Sequence, residues 1–252
     1  MLEFIEYKEP YRLAVWRIFN KFNQKFRLII LLLFIKSGIY SNFYRSDFTK
    51  NDMKNIYASD IVFEVGTNIG NLTLLLASVA KTIYSFEPNP TVYKFASIRL
   101  QKYKNIRLFN VGLSSHESKS FMNFIWDFSS ANSLFDAVHQ VKDGIISPSY
   151  SKKVEVQLTT IDKIVETTGT IPNVLVLDCE ASEYNVLLGA KNTLPFIERI
   201  FVETHTFKED GKIYDTKYKI HKFLEDMGYT VSETLEHGNM LRYYGVRNLI
   251  AK

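Results

Sequence analysis

The sequence is poor in cysteine and has no long apolar run, and both absences exclude classes of protein. Cys179 is the only cysteine among 252 residues, which excludes a disulfide framework and any multi-cysteine zinc or iron–sulfur site. The longest apolar run covers only residues 28–35, whereas a membrane-spanning helix needs about 20 residues. A cleavable signal peptide would show a basic start followed by an apolar stretch. The first residues lack this pattern, so no signal peptide is expected. These absences favour a cytoplasmic protein.

Positive charge is in small excess and is unevenly spread. The chain carries 31 Lys and Arg against 27 Asp and Glu, a net charge of +4. Residues 1–55 hold 10 basic and 5 acidic side chains, so +5, while residues 56–252 hold 21 basic and 22 acidic ones, so −1. Because nucleic-acid phosphates are bound by Lys and Arg, the near-neutral larger part argues against a nucleic-acid partner.

The first 55 residues are predicted to form a basic, helical N-terminal extension. Apolar side chains recur at three- and four-residue spacing through residues 11–35, with arginine and lysine residues between them. One interpretation is a helix that packs on the rest of the protein with its basic residues in solvent. The other is a basic amphipathic helix on an anionic membrane surface, which would make the protein peripheral at the membrane.

Residues 56–252 are predicted to form one α/β domain, because short β-rich runs alternate with helical segments. Such alternation gives a mostly parallel sheet with right-handed crossovers. The predicted parallel strands lie at residues 61–65, 82–86, 106–111, 173–177 and 199–202. The helices between and after them are predicted at residues 72–80, 90–103, 183–194 and 216–227.

Two further features complete the predicted fold. Residues 230–233 and 241–246 are predicted to close the sheet as a C-terminal antiparallel hairpin. The stretch 113–172 breaks the alternation and is too long for an ordinary connection. We predict an inserted β-hairpin there, with strands at 119–126 and 154–160 and a long loop over the strand ends, where substrate recognition is common.

The turn after the first predicted strand, with the pattern G-x-N-x-G, is the most informative segment of the sequence. Gly66 and Gly70 let the backbone approach a ligand, and Asn68 lies between them. No P-loop Lys-Ser/Thr follows, which argues against a nucleoside triphosphate site. Glu64 at the strand end would repel phosphates and attract a cation. The turn therefore suits S-adenosylmethionine, which carries a sulfonium and an ammonium group and no phosphate.

The ends of the second and third predicted strands favour an adenosine ligand. Glu87 lies 21 residues after Gly66, where a carboxylate accepts hydrogen bonds from ribose hydroxyls. The competing interpretation of Glu87 is a solvated loop acid before a proline. Asn110 is placed to hydrogen-bond the base, and Gly112 would leave room for its face.

Acidic residues follow the fourth and fifth predicted strands, together with one histidine. Asp178 is predicted to face the transferred group, while Glu180 and Glu183 are placed to cap the next helix. The fifth strand ends in Glu203 and His205, and no other histidine lies at a predicted strand end. Imidazole can take a hydroxyl proton near neutral pH, although a structural histidine is the competing interpretation. We predict Asp178 and His205 as the residues that orient or deprotonate the acceptor.

Six segments together resemble the FkbM-type S-adenosylmethionine-dependent methyltransferases in order and spacing. They cover roughly residues 60–206 and read EVGTNIGNLT, FEPNP, VGLSS, TTIDKI, LDCEASEYNVLLGA and FVETH. The resemblance implies a Rossmann-like class I methyltransferase fold. It also implies methyl transfer to a hydroxyl of a sugar, a glycan or a related metabolite.

The resemblance also implies roles for individual residues. Gly66, Asn68 and Gly70 match the cofactor loop of the family, and Glu87 matches its ribose-binding acid. The remaining matches are Asp162 after the inserted strands, Asp178, Glu180 and Glu183 in the acidic fourth-strand motif, and Glu203 and His205 at the fifth-strand ending. The chain departs from the family pattern in having Glu64 for Asp, Val176 for Lys, and Ala181-Ser182 for Gly-Ala.

Three alternatives compete with this interpretation. A nicotinamide dehydrogenase would share the fold and Glu87, but Glu64 and the missing third glycine argue against it. A nucleic-acid methyltransferase conflicts with the near-neutral charge of residues 56–252. A non-catalytic, membrane-attached binding module stays open until turnover is measured.

The sequence gives less direction on metals and partners. No metal is predicted, although Asp178, Glu203 and His205 form a mixed carboxylate and imidazole set that suits Mg or Mn. The expected partner is a small-molecule or glycan acceptor, and the oligomeric state is not indicated.

Overall fold

The structure of the protein is a computed structural model. It describes residues 50–124, 136–137, 139–141, 144–146, 152–209, 212–237 and 240–247. The helix predicted at residues 11–35, with its proposed membrane contact, lies outside the described residues, as does most of the predicted N-terminal extension. Within the described ranges, no helix has both the length and the apolar character needed to cross a membrane.

Strands and helices alternate through most of the described chain. The first half contains α1 (Lys50–Met53), β1 (Ile61–Val65), α2 (Asn71–Ala77), β2 (Thr82–Phe86), α3 (Pro90–Leu100), β3 (Ile106–Phe109), β4 (Gly112–Leu113), β5 (Ser118–Phe124), β6 (Asp136–Ala137), β7 (His139–Val141) and β8 (Gly144–Ile146). The second half contains β9 (Lys152–Thr159), α4 (Ile161–Thr168), β10 (Val174–Leu177), α5 (Glu183–Leu188), β11 (Arg199–Glu203), β12 (Thr206–Glu209), β13 (Lys212–Asp215), α6 (Lys217–Asp226), β14 (Tyr229–His237) and β15 (Met240–Arg247).

The largest sheet has seven strands in the order β3-β2-β1-β10-β11-β15-β14. Strands β1, β2, β3, β10 and β11 pair in parallel, and β15 is antiparallel to both β11 and β14. The first strand thus lies beside the central strand β10, and the chain moves outward from β1 to β3 and then returns to the other side of β1. This reversal between β1 and β10 creates the crevice in which open α/β sheets bind ligands.

The two faces of this sheet bury separate apolar clusters, because successive strand residues point to opposite faces. Val62 of β1 belongs to the cluster covered by α2 and α3, which contribute Leu76 and Leu100. Phe63 belongs to the cluster covered by α4, α5 and α6, which include Leu187. The architecture is therefore a three-layer α/β sandwich, as the predicted Rossmann-like methyltransferase fold requires.

Local sequence explains where two of the helices begin. Asn89 accepts hydrogen bonds from the backbone N–H groups of Thr91 and Val92, and Pro90 occupies the first turn of α3. Thr160 accepts a hydrogen bond from the N–H of Lys163 at the start of α4, in the same capping geometry.

The predicted strands are confirmed in place, with some differences at their ends. The third strand ends at Phe109 and not at residue 111, and the helix predicted at 183–194 ends at Leu188. Gly189 follows that helix, and a 3₁₀ turn at Leu194–Phe196 replaces the rest of it. The predicted C-terminal antiparallel hairpin is present and longer than expected.

The segment predicted as an insertion, 113–172, is partly different from the prediction. Its two expected strands are β5 and β9, which pair antiparallel over seven residue pairs. Residues 161–168, however, form α4, which the sequence pattern did not predict. This helix buries Ile161 and Ile164 against the sheet and leads directly into β10, so it is a crossover helix of the parallel sheet. The β12–β13 pair was also not predicted.

Candidate active site

The candidate site lies at the edge of the sheet where the parallel strands end. Glu64 lies near the end of β1, and Glu87 directly follows β2. Asp178 directly follows β10, while Glu203 ends β11 and precedes His205 by two residues. Because carboxyl ends of parallel strands share one edge, the fold gathers the predicted cofactor-binding and catalytic residues at that edge.

The loop between β1 and α2 has the tight left-handed geometry that its glycines permit. Gly66 has φ 102°, Asn68 has φ 50° and Gly70 has φ 82°. A Cβ on Gly66 would lie 1.8 Å from the carbonyl oxygen of Asp178, so the loop packs directly on the end of β10. Gly66 therefore brings the predicted cofactor loop against the predicted catalytic residue, and no other residue type fits there.

Glu64 is almost fully buried and belongs to a small polar network. Its Oε2 accepts a 2.5 Å hydrogen bond from Ser85, whose hydroxyl lies 2.6 Å from that of Thr67. Its Oε1 is buried and has no hydrogen-bond partner among the described residues. Burial raises the pKa of Glu64 to about 7, although the hydrogen bond from Ser85 lowers it. An orphaned, buried carboxylate oxygen is a group that a cationic ligand would stabilise.

Glu87 is held rigidly at the end of β2. Its Oε1 accepts from the N–H of Asn89, and its Oε2 accepts from the N–H of Asn68, both at 2.9 Å. Burial raises the pKa of Glu87 to about 7, although these two hydrogen bonds lower it. Each carboxylate oxygen has a second lone pair, so the fixed group can still accept hydrogen bonds from a ligand diol.

Asn110 and Gly112, the residues predicted near the adenine, have contacts of their own. The amide nitrogen of Asn110 donates to the carbonyl oxygens of Glu87 and Pro88 at 2.9 and 3.1 Å. A Cβ on Gly112 would lie 2.7 Å from a methyl group of Leu158. The close packing of Leu158 is therefore enough to explain why a glycine stands there. Asn110 therefore positions the Glu87 segment. Its hydrogen bond to the adenine base stays a prediction.

The turn between β10 and α5 is organised by one buried carboxylate. Oε1 of Glu183 accepts hydrogen bonds from the N–H of Cys179 at 3.1 Å, from the N–H of Ala181 at 3.2 Å, and from Nδ1 of His205 at 2.9 Å. Glu183 is fully buried and begins α5. Glu183 was predicted only to cap the helix. In the structure it also connects the turn to His205 through hydrogen bonds.

The same turn contains two residues in the left-handed region. Glu180 has φ 53° and Ala181 has φ 77°, which favour glycine over residues with a Cβ. Ala181 stands at the position where FkbM-type sequences usually have glycine. The departure noted in the sequence thus falls on a strained backbone position.

His205 lies at the centre of the acidic cluster, with 5% of its surface exposed. A carboxylate only accepts hydrogen bonds, so Nδ1 donates to Glu183 and Nε2 points away from it. Nε2 is 3.9 Å from Oδ1 of Asp178, 3.8 Å from Oε2 of Glu180 and 3.9 Å from Oε1 of Glu203. The sequence-predicted catalytic and surrounding residues are therefore brought together around one nitrogen atom.

Electrostatics in this cluster are dominated by its carboxylates. Burial lowers the pKa of His205, but the charges of Glu180 and Glu183 outweigh burial and raise this pKa well above its usual value. Desolvation and the charge of Glu203 raise the pKa of Asp178. Burial and the charge of Glu183 raise the pKa of Cys179, which disfavours the reactive thiolate form.

Some site features were not predicted, and one predicted residue is structural. Ser85 pairs with Glu64 in the β1–β2 register, which only the alignment of the two strands could have indicated. Thr216 donates to the carbonyl oxygen of His205 at 3.0 Å from the start of α6. Asp162, matched by resemblance alone, accepts hydrogen bonds from the N–H and hydroxyl of Thr193 and so anchors α4 to the loop after α5.

Comparison with known proteins identifies a family and relatives of this chain. A family model described as the methyltransferase FkbM domain matches residues 64–231, which is 168 of the 252 residues. The chain is 26% identical over 149 residues to the hexuronic acid methyltransferase AglP of Haloferax volcanii. That match covers 58% of this chain and 56% of AglP, so the chain spans about half the length of this relative.

The chain is also similar to solved structures, two of which are described next. The methyltransferase FkbM of Methylobacillus flagellatus KT has a TM-score of 0.49 and 13% identity, over 75% of this chain and 44% of that one. The fibrillarin of Aeropyrum pernix, solved with natively bound S-adenosyl-L-methionine, has a TM-score of 0.46 and 9% identity, over 76% of this chain and 68% of that one. Since the family model spans most of the strands that build the site, the chain belongs to the FkbM methyltransferase family.

Proposed function

We propose that the protein is an S-adenosylmethionine-dependent O-methyltransferase that acts on a hydroxyl of a sugar, a glycan or a related small metabolite. The observation that carries the proposal is the contact between the two parts of the site. The glycine loop packs on the carbonyl oxygen of Asp178 at Gly66, so a cofactor held by that loop lies beside Asp178 and His205.

The residues of the first three strand ends fit S-adenosylmethionine. Glu87 is fixed by Asn68 and Asn89 with lone pairs left for the ribose hydroxyls. The orphaned oxygen of Glu64 would stabilise the ammonium group. Bound there, the cofactor supplies an electrophilic methyl group on a sulfonium.

The residues after β10 and β11 fit the acceptor side. An acceptor hydroxyl placed there would receive the methyl group that the cofactor supplies and would pass its proton to a carboxylate beside His205, for which Asp178 is the candidate. Asp178 is half-exposed and can reach an acceptor, while Glu183 fixes the ring of His205. Alignment of the two reactants can supply about 7–11 kcal/mol of the barrier reduction.

A sugar acceptor is favoured by the AglP relative, which is a hexuronic acid methyltransferase. Residues 56–252 carry a net charge of −1, which argues against a nucleic-acid acceptor. The cytoplasmic setting and a peripheral membrane contact through residues 11–35 remain proposals from the sequence.

The cofactor assignment is tested by calorimetry of S-adenosylmethionine binding to the full-length chain. We expect micromolar binding in the wild type and at least a tenfold loss in Glu87→Ala, because the ribose loses its acceptor. Glu166→Ala is the matched control, since this carboxylate is 70% exposed on α4. Equal affinity in all three proteins would overturn the cofactor assignment.

The acceptor assignment is tested with radiolabelled methyl transfer to hexuronic acids, neutral sugars and tRNA. We expect label in a sugar and none in tRNA. If S-adenosylmethionine binds and the label passes to tRNA but to no sugar, the sugar acceptor is wrong and the cofactor assignment stands.

A further inference from the structure

The side chains around Nε2 of His205 are close enough together to share one divalent cation. One ligand atom each from Asp178, Glu203 and His205 lies within 4.8 Å of the others. Atoms bound to one octahedral cation at about 2.1 Å are about 3.0 Å apart when adjacent and about 4.2 Å apart when opposite. The Nε2 distances of 3.8–3.9 Å to the carboxylates exceed the hydrogen-bond length and lie between these two spacings, so the side chains would have to close by less than about 1 Å around an ion.

The histidine is oriented as a metal ligand. A metal-bound histidine typically donates its other ring N–H to a carboxylate, which fixes the ring and directs the free nitrogen at the ion. His205 makes this contact through Nδ1 to the fully buried Glu183 at 2.9 Å. Its Nε2, in a side chain 95% buried, has no hydrogen bond to any residue that the structure describes and is aimed at three carboxylate oxygens.

We infer that Asp178, Glu203 and His205 bind a divalent cation of the Mg²⁺ or Mn²⁺ class. Two carboxylate oxygens and one imidazole nitrogen are the donors that these ions accept, once the ion has displaced the proton from Nε2, and they leave coordination positions open for water or a ligand. The sequence alone favours no metal here, because it does not show that the three side chains converge. Glu180 adds a further negative charge at 3.8 Å from Nε2.

The role of the ion deepens the function proposed above and rests on it. The open positions would accept oxygens of the acceptor and so hold its hydroxyl beside the cofactor. An acidic sugar would bring another carboxylate to Asp178, Glu180 and Glu203, and the cation would offset this repulsion. In this arrangement Asp178 and His205 orient the acceptor through the ion.

The test is a Mn²⁺ titration of the full-length chain, followed by calorimetry and by the electron paramagnetic resonance signal of free Mn²⁺. We expect one saturable site, displaced by excess Mg²⁺. Asp178→Asn and Glu203→Gln should each weaken Mn²⁺ binding at least tenfold. Glu155→Gln is the control, because this carboxylate is half-exposed on β9 and should leave Mn²⁺ binding unchanged.

Folding and cofactor binding are measured alongside. Asp178 is 44% exposed, so Asp178→Asn should keep the melting temperature near that of the wild type. Absence of a saturable Mn²⁺ site at millimolar metal would overturn the inference, as would equal Mn²⁺ affinity in Asp178→Asn, Glu203→Gln and the wild type. S-adenosylmethionine binding without Mn²⁺ binding would contradict the metal site and leave the proposed function intact. Mn²⁺ binding without S-adenosylmethionine binding would contradict the proposed function and leave the metal site intact.

Discussion

The proposed cofactor half and the proposed acceptor half of the candidate site use carboxylates in opposite ways. In the cofactor half, Glu64 and Glu87 are separately buried, and hydroxyl or N–H donors from neighbouring strands and loops fix each one. In the acceptor half, Asp178, Glu180 and Glu203 surround one imidazole nitrogen at 3.8–3.9 Å, too far for hydrogen bonds to it. Each carboxylate of the first half has its own donors, whereas the carboxylates of the second half share one imidazole ring that Glu183 fixes.

The two halves are nevertheless built as one unit. Gly66 of the cofactor loop contacts the carbonyl oxygen of Asp178, and the N–H of Asp178 donates to the carbonyl oxygen of Val65 at 3.0 Å. A change on one side should therefore be felt on the other only where it disturbs this contact. Substitutions at this contact and within each half can separate their contributions.

The largest effect is expected from Gly66→Ala, which would break the contact between the halves. The new Cβ would lie 1.8 Å from a backbone oxygen, and φ is 102°, so both a clash and backbone strain oppose it. We expect a loss of unfolding free energy on the order of 3 kcal/mol or more. Denaturant unfolding measures it.

Gly169→Ala separates strain from the clash in that experiment. Gly169 has φ 67°, and a methyl group added there would meet no atom of the described residues within 4 Å, so only strain applies. We expect a loss of about 1–2 kcal/mol. Equal losses in Gly66→Ala and Gly169→Ala would show that the packing of the loop on β10 is unimportant.

Glu183→Ala should disrupt the acceptor half selectively. It removes one oxygen that accepts three hydrogen bonds and leaves the N–H groups of Cys179 and Ala181 without their acceptor. We expect a loss of about 3–5 kcal/mol in unfolding free energy, together with loss of methyl transfer. Glu166→Ala, an exposed change, should cost less than about 0.5 kcal/mol. A small loss of unfolding free energy in Glu183→Ala would show that Glu183 does not organise this turn.

Glu64→Gln should change how the unfolding free energy of the protein depends on pH. The pKa of Glu64 is about 7 when folded against an ordinary value of 4.5, so the folded state holds the proton more tightly than the unfolded chain. The stability from this proton is complete below about pH 4.5 and is lost as the pH rises through 7. Relative to wild type, Glu64→Gln should therefore gain up to about 3 kcal/mol between pH 4.5 and pH 8.

Unfolding of both proteins across this pH range measures the difference. Glu166→Gln controls for removal of a carboxylate without burial. A stability difference between Glu64→Gln and wild type that stays constant with pH would contradict the raised pKa. We also expect weaker S-adenosylmethionine binding in Glu64→Gln, because the ammonium group loses its counter-charge.

The smallest effect is expected from Ala181→Gly, in the acceptor half. Ala181 has φ 77°, where a Cβ is unfavourable, and glycine is the residue that FkbM-type sequences usually place there. Relief of strain should exceed the entropy cost of glycine and raise the unfolding free energy by up to about 1 kcal/mol. A loss of stability in thermal melts would mean that the Ala181 methyl group is needed for packing.

The sequence predicts the cofactor half better than the acceptor half, for a physical reason. The glycine turn and Glu87 are local signals, since each follows a β-rich run at a recognisable spacing. The partner of Glu64, by contrast, is Ser85 on the neighbouring strand, and the partner of His205 is Glu183, 22 residues earlier. Such contacts depend on register and topology, which composition and periodicity do not specify.

The fold shows the same division between local and distant signals. The parallel strands are predicted from apolar runs, but α4 is hidden because only two of its eight residues, Ile161 and Ile164, are buried. The Thr160 cap before it is a signal that could have indicated this helix. The N-terminal extension lies mostly outside the described residues and stays a prediction.

The most direct test of the central claim is a crystal structure of the full-length chain with S-adenosylhomocysteine and a sugar acceptor. We expect the ribose hydroxyls on Glu87, the amino group toward Glu64, and the sulfur directed at an acceptor oxygen beside Asp178 and His205. A ligand whose ribose does not contact Glu87, or whose sulfur faces away from Asp178, would contradict this claim.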